Sequence, residues 1–596
     1  MDTQRDATDL LSDRAEREAA EGGAALGVNQ VTLDDKYASF EGRVFLTGIQ
    51  ALVRLPLLQR RRDRAAGHNT AGFISGYRGS PLGGYDLALW SAKKHLDAHD
   101  IVFQPGINED LAATAVWGSQ TVGNLPNPTK DGVFGLWYGK GPGVDRSGDV
   151  LKHASYTGTP ALGGAIALCG DDHGARSSTL AHQSDLALIH FGMPVLNPST
   201  VEELVSFGLS AWAISRYSGC WIGMKALTDT VEGGASIPAD MDRLPFLLPT
   251  DHELPPGGLN LRSRNGSALE IEARHFEQRH PAAQAWVRAN NLDRLAWGSA
   301  RRNRLGLVST GKAYLDVIEA LRGLGLDEHR CTALGIAVYK VGMVWPLEPE
   351  RLRAFAETCD EIFVIEEKHP IIEDQISTIL YNQPSHLRPR LTGKLDENAR
   401  PLLREVGELD PDLLLHVIAS RLSGRIEDEP LRQRIANIKP LETGIPTISF
   451  GTKDLLRPPS FCAGCPHNTS TVVPDGSIAG AGIGCHIMAA AMPERNTMGA
   501  TQMGGEGAQW IGQAPFTATP HMFQNLGDGT YFHSGLLAVR AAVAAKSRIT
   551  YKILLNGAIA MTGGQTVEGE QFAGDITGPH VAHQLTAEGC KRVGGR

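Results

Sequence analysis

The segment Gln524–Gln565, QNLGDGTYFHSGLLAVRAAVAAKSRITYKILLNGAIAMTGGQ, constrains the fold more than any other part of the chain. A short apolar run ends in the turn Gly527-Asp528-Gly529, a helix-compatible stretch follows, and a second apolar run, ITYKILL, leads to Asn556. Strand, glycine turn, helix and strand in that order make a βαβ unit with parallel strands. Asp528 and Asn556 then both fall just past the carboxyl ends of their strands, where open α/β sheets bind ligands. A carboxylate and an amide oxygen there suit Mg²⁺, which takes oxygen ligands and typically combines one or two protein carboxylates with substrate phosphates. The helix start after Gly529 offers N–H groups to a phosphate. Taken alone, the same letters also fit an ordinary glycine turn and a loop asparagine.

The α/β pattern recurs along the chain. Between residues 31 and 248, VFGLWYG, ALGGAIALCGDD and MPVLNPSTVEELVSFGLSAWAI alternate strand-like and helical runs, with Thr200 and Glu203 spaced as a capping box. Residues 249–304 are polar, contain Pro-Pro-Gly-Gly, and read as a linker or insertion with one helix. Residues 305–440 alternate again and form a second, smaller α/β unit. A proline-rich joint, IKPLETGIPTISFGTKDLLRPPS, leads into a third unit, residues 441–596. Residues 1–30, charged and poor in large apolar groups, read as a mobile lead-in.

A chain of 596 residues is too long for one core and can bury several. Its net charge of −9 is spread without a basic block, which argues against nucleic acid as a partner. The polar N-terminus has no signal-peptide core, and no apolar run approaches the ~20 residues of a membrane helix, so the expected setting is the cytoplasm, with no membrane partner. Sixty-eight glycines suggest many tight loops around a ligand.

Two further features carry chemistry. In QPGINEDLAATAVWGSQ, Glu109 opens an alanine-rich apolar helix, a context that buries and points a carboxylate; the same Asn108-Glu109-Asp110 run is equally an acidic helix start complementing the dipole. Cys462-x-x-Cys465 and, 19 residues on, Cys485 suit an iron–sulfur cluster. Zinc with His467 or His486, or a redox pair, fits the same spacing. The isolated Cys169, Cys220, Cys331 and Cys359 read as core or surface thiols.

Together CAGCPHN with GIGC, GDGTYFHSG, NGAIAMTGGQ, GYRGSPLGGYD and GDDHGARSST resemble, in order and over nearly the whole chain from about residue 40, the large fused form of the indolepyruvate branch of the 2-oxoacid:ferredoxin oxidoreductases. The resemblance implies an α/β, multidomain thiamine-diphosphate-binding fold: pyrimidine-type and diphosphate-type parallel-sheet domains flanking a smaller transketolase C-terminal-like domain. It implies oxidative decarboxylation of a 2-oxoacid, an arylpyruvate such as indolepyruvate, to acyl-CoA and CO2, with coenzyme A and ferredoxin as partners, in a homodimer. A non-oxidative thiamine-dependent decarboxylase or carboligase, and a cofactor-binding subunit inactive without a separate γ-type chain, stand as alternatives.

By the same resemblance Glu109 activates thiamine diphosphate by hydrogen-bonding its aminopyrimidine, and His533 is a catalytic proton carrier or a polar neighbour of the diphosphate. Asp528, Asn556 and the Ala558 carbonyl hold Mg²⁺. Gly527, Gly529 and Thr530 cradle the diphosphate, the Gly79-Ser80-Pro81 loop lines the pocket, and Asp171, His173 and Ser177 stand at its mouth. Gly557 stands where the family often has Asn or Asp. Cys462, Cys465 and Cys485 ligate a 4Fe-4S cluster, whose fourth ligand the family supplies well after the magnesium motif; here only Cys590 follows. That early cysteine, the end of the chain soon after Asn556, and the missing γ-type domain lead to the expectation of a C-terminally truncated version.

Overall fold

The computed structural model describes residues 32–261, 266–299, 301–438, 460–567 and 578–595. The lead-in at 1–30 and most of the proline-rich joint lie outside them. A two-stranded ribbon pairs β1 (Arg43–Thr47) with β8 (Gly234–Pro238), and between these in sequence run β2 (Ala71–Gly76), β3 (Ile101–Phe103), β4 (Val133–Lys140), β5 (Ala165–Asp171), β6 (Val195–Leu196) and β7 (Trp221–Leu227). The latter six form a parallel sheet in the order β6-β7-β5-β4-β2-β3. The central strands β5 and β7 are buried along their whole length, as expected for strands covered on both faces.

The segment read as a linker is structural. Helix His280–Ala289 buries Ala283, Trp286 and Val287 in the core of the first unit, a face hidden in the sequence behind the polar stretch that precedes it. Each such large side chain contributes ~1.5–3 kcal/mol relative to exposure. Next, β9 (Arg294–Trp297) adds an antiparallel edge to a sheet otherwise built from β10 (Leu305–Thr310), β11 (Ile336–Val341), β13 (Glu361–Ile365) and β14 (Arg390–Thr392). The first sheet gains its seventh strand in exchange: β12 (Met343–Trp345) pairs antiparallel with β6.

The first and middle units therefore share packing. One apolar cluster runs from Trp137 and Leu188 to Val308, Tyr339 and Ile362, and the side chains of Glu203 and Lys340 pair across the boundary. Glu203 completes only half of the expected box: Thr200 Oγ1 accepts from its N–H, but its carboxylate takes the Ser199 N–H and Lys340.

The third unit is a four-stranded parallel sheet, in the order β16 (Thr497–Met498), β15 (Ile478–Gly480), β17 (Met522–Gly527) and β18 (Ile549–Leu554). Its described core is small, around Leu526, Tyr531, Val539 and Val581, and β18 is a half-buried edge strand. Among the described residues no helix is long and apolar enough to cross a membrane.

Candidate active site

Asp528 ends β17 and starts a helical run to Ala544 that includes a π-turn over Tyr531–Gly535. Its buried carboxylate fastens two loops: Oδ1 accepts the Gly529 N–H at 2.9 Å, and Oδ2 accepts those of Asn556 and Gly557, each at 2.7 Å. Asn556 Oδ1 in turn accepts the Ala558 N–H at 2.9 Å. Asp528, Asn556 and Ala558 are thus linked by hydrogen bonds at the carboxyl ends of β17 and β18. Three of the roughly four lone-pair positions of the Asp528 carboxylate are used, and one remains. Thr530 is buried, its hydroxyl donating to the Ile483 carbonyl at 3.1 Å.

Glu109 is the first residue of helix Glu109–Gln120, capped by Asn108, whose Oδ1 accepts the Leu111 N–H. The Asn108 amide also donates to the His533 carbonyl at 3.1 Å, bridging the first and third units. Beside it, His533 Nε2 donates to Glu109 Oε2 at 2.6 Å, both side chains buried. The other ring nitrogen, Nδ1, lies 2.7 Å from Ser534 Oγ, and Tyr77 packs edge-on at 4.7 Å between ring centroids. Behind Glu109, Gly143 leaves the necessary room: a Cβ there would lie 2.5 Å from Glu109 Cγ.

Sequence reasoning passed over several of these groups. Glu506 accepts the Ile483 and Gly504 N–H groups, and burial pushes its carboxyl above the usual range while His533 opposes that. A Cβ on Gly504 would collide with Ser534, so this glycine lets the two loops touch. The motif GGEG was the available signal, but its outside partners, Ile483 and Ser534, lie in a distant loop and in the π-turn. His486 Nε2 and both side-chain polar atoms of Asn525 are buried without partners close to the Gly527 turn. These orphaned groups, the Asp528–Asn556–Ala558 cluster and the helix start fit a polar, phosphorylated cofactor with its metal.

The Gly79-Ser80-Pro81 loop of the first unit meets the segment that follows Asn556. Arg78 donates to the Thr566 carbonyl at 2.8 Å, and Gln565 donates to the Gly83 carbonyl at 2.9 Å, so the segment after Asn556 lies over the loop. The stretch GDDHGARSS is placed differently from expectation. Asp171 binds Ser184 and faces Lys225, while His173 Nδ1 meets the His182 carbonyl and burial holds its imidazole down at about 3. Both turn toward a polar cavity between the first and middle units, lined by Lys225, Asp185, Asn197, Lys312 and Glu366. Two points of the stretch do reach the Gly79 loop: Gly170 packs against Pro81, and the Ser177 carbonyl accepts from Lys140, which borders Gly79, while the Asp172 carboxylate closes on the stretch's own backbone.

Cys462 and Cys465 share a turn, and both, with burial, push the Cys485 thiol above its usual range. The three sulfurs are neighbours. Yet among the described residues no trio drawn from these cysteines, His467 and His486 has donor atoms all within 4.8 Å of one another, whereas a tetrahedral zinc with ~2.3 Å bonds to sulfur draws its ligands to within ~3.8 Å. Wider spacing suits thiolates at separate corners of a cluster. Cys590, the fourth ligand expected from the sequence, packs beside Tyr531, Leu585 and Val581 in the small apolar core, just after the helix Gly578–Ala587.

A family model described as "Indolepyruvate oxidoreductase domain" matches residues 294–443. The chain is 25% identical to the indolepyruvate oxidoreductase subunit IorA of Methanothermobacter thermautotrophicus, over 89% of this chain and 78% of that one. It is 23% identical to IorA of Pyrococcus horikoshii, over 90% of this chain and 78% of that one. Among solved structures, a 2-oxoglutarate:ferredoxin oxidoreductase from Magnetococcus marinus aligns with a TM-score of 0.45 at 15% identity, covering 70% of this chain and 71% of that one.

Proposed function

We propose that this chain, a relative of the indolepyruvate oxidoreductase subunits, catalyses the thiamine-diphosphate-dependent oxidative decarboxylation of an arylpyruvate such as indolepyruvate. The observation that carries the reading is the meeting of Glu109 and His533 beside the Asp528 turn, where a buried carboxylate from one parallel-sheet unit faces the glycine turn of another. Overall, a 2-oxoacid and coenzyme A give an acyl-CoA, CO2, one proton and two electrons, which ferredoxin accepts singly.

Thiamine diphosphate, when bound, supplies the electron sink for decarboxylation. The chain's own residues prepare the site. Glu109, held by His533 and by the clearance at Gly143, presents its carboxylate to the aminopyrimidine and keeps a proton moving at that ring. His533 orients Glu109 and is itself oriented by Ser534 and Tyr77. Asp528, Asn556 and the Ala558 carbonyl would hold Mg²⁺ against the diphosphate, with the helix start at Gly529 donating N–H groups. Cys462, Cys465 and Cys485 would carry the 4Fe-4S cluster through which electrons leave. The grouped cysteines favour the oxidative reading, since a non-oxidative decarboxylase has no use for them.

The test is an anaerobic assay with indolepyruvate, coenzyme A and a viologen dye, run with and without a γ-type partner. Dye reduction that needs both the 2-oxoacid and thiamine diphosphate is expected in the complete mixture. CO2 release without any dye reduction would turn the reading to non-oxidative decarboxylation, and no turnover in either mixture would reject it.

A further inference from the structure

We propose that Cys220, His275 and His280 form a second, buried site for a zinc-class transition-metal ion, far in sequence from the cysteines near the thiamine motif. Each residue offers a donor atom within 4.8 Å of the other two, all three side chains are buried, and no other such group occurs among the described residues. The elements that bring them together are specific. Cys220 follows the left-handed glycine that ends helix Val201–Ser218, just before β7. His275 and His280 lie five residues apart across a π-helical turn, Arg274–Arg279. In an ordinary α-helix that spacing would set them ~140° apart around the axis. The wider turn brings the two rings to 4.7 Å between centroids, and π-turns of this kind concentrate at functional sites.

The hydrogen bonding is that of metal-ligating imidazoles. Both Nε2–H groups donate to one acceptor, the Gly192 carbonyl, at 2.7 Å from His275 and 2.9 Å from His280. Ligating histidines usually give their second nitrogen to a carbonyl in this way, which fixes the tautomer and leaves a lone pair on the first. In His275 that other nitrogen, Nδ1, is buried with no partner. A buried polar atom left unmade costs ~1–3 kcal/mol, which a metal bond would offset. Gly192 has φ +72° and no room for a Cβ beside the His275 ring, so the shared acceptor depends on glycine there.

The charge balance also points to a thiolate. Arg279 is buried and gives its hydrogens to the carbonyls of Leu259, Tyr156 and Thr157, and among the described residues it forms no ion pair with a carboxylate. Cys220 lies close enough to act on it electrostatically. A metal bound through Cys220 would displace the thiol proton and leave sulfur as the counter-charge to Arg279. Two imidazoles and one thiolate are ligands that Zn²⁺ takes readily, drawn inward by about an ångström from their present spacing.

The test uses the full chain carrying Cys462→Ser and Cys465→Ser, which removes the competing thiols. Titration with Co²⁺ should give one equivalent of bound ion with a thiolate-to-cobalt absorption band, displaced by Zn²⁺ and lost when Cys220→Ser is added. Should Cys220→Ser fail to fold, anomalous scattering at the zinc edge from Zn²⁺-soaked crystals of the unsubstituted chain decides. A peak between Cys220, His275 and His280 supports the site. No thiolate band in the first titration, or no peak between those side chains, overturns it.

Discussion

His533 Nε2 lies 2.6 Å from Glu109 Oε2, a hydrogen bond between residues 424 positions apart. It is the contact that turns two separate parallel-sheet units into one site. Buried between the two units, it orients the carboxylate as well as joining the halves.

Glu109→Gln should keep this geometry and lose the proton chemistry. Turnover of the complete enzyme is expected to fall by roughly 100-fold or more, the usual contribution of a positioned acid or base. Thiamine diphosphate affinity, measured by calorimetry, should stay within a few-fold of the parent. Undiminished turnover would remove Glu109 from catalysis.

Asp528→Ala should act on binding. The carboxylate fastens the Asn556 and Gly557 N–H groups, so its loss frees the loop that carries the other two metal donors. Thiamine diphosphate and Mg²⁺ should no longer bind in calorimetry. Parent-like affinity in this variant would rule out the metal role.

Gly143→Ala tests the clearance behind Glu109. The new methyl would lie 2.5 Å from Glu109 Cγ and 2.9 Å from its Oε1, closer than packed atoms tolerate. The carboxylate must shift, and displacement by about an ångström can cost ~100-fold in rate. The expected result is a lowered kcat with little change in the affinity for Mg²⁺, read from steady-state kinetics and metal titration.

Cys462→Ser should remove iron and sulfide from anaerobically purified protein, together with the broad visible absorption of a cluster. Cys590→Ser should leave both unchanged, because Cys590 packs in the apolar core around Val581. Iron lost in the second variant but not in the first would reverse the ligand assignment.

Asp293 offers a pH test of folding. It is wholly buried, its Oδ1 accepts the Gly342 and Met343 N–H groups, and burial pushes its carboxyl up to about 7. The folded state therefore holds this proton more tightly than the unfolded chain, and the stability it contributes falls as pH rises from about 4 through about 7. Asp293→Asn keeps an acceptor for both N–H groups without a charge. Relative to the parent, its thermal stability should rise between pH 5 and pH 8, by up to ~2–4 kcal/mol. A difference that stays flat over that range would show that Asp293 is not protonated in the fold.

The sequence by itself determined what depends on neighbours in the chain. Period and turn chemistry made the Asp528–Asn556 unit legible as strand, helix and strand, and the acidic run Asn108-Glu109-Asp110 before an alanine-rich stretch marked the start of the Glu109 helix, because such signals are written within a few residues. Only the tertiary structure decided which distant groups meet. It assigned β12 to the first sheet and β9 to the second, packed Cys590 on the small apolar core around Val581, turned Asp171 and His173 toward Lys225, and set His533 on Glu109. It also brought Cys220 to two histidines across a π-turn that no spacing rule announced. The physical reason is that sheet pairing and loop packing are settled by burial of whole apolar faces and by where buried polar groups find partners. Those contacts join residues hundreds of positions apart and leave no local pattern in the chain.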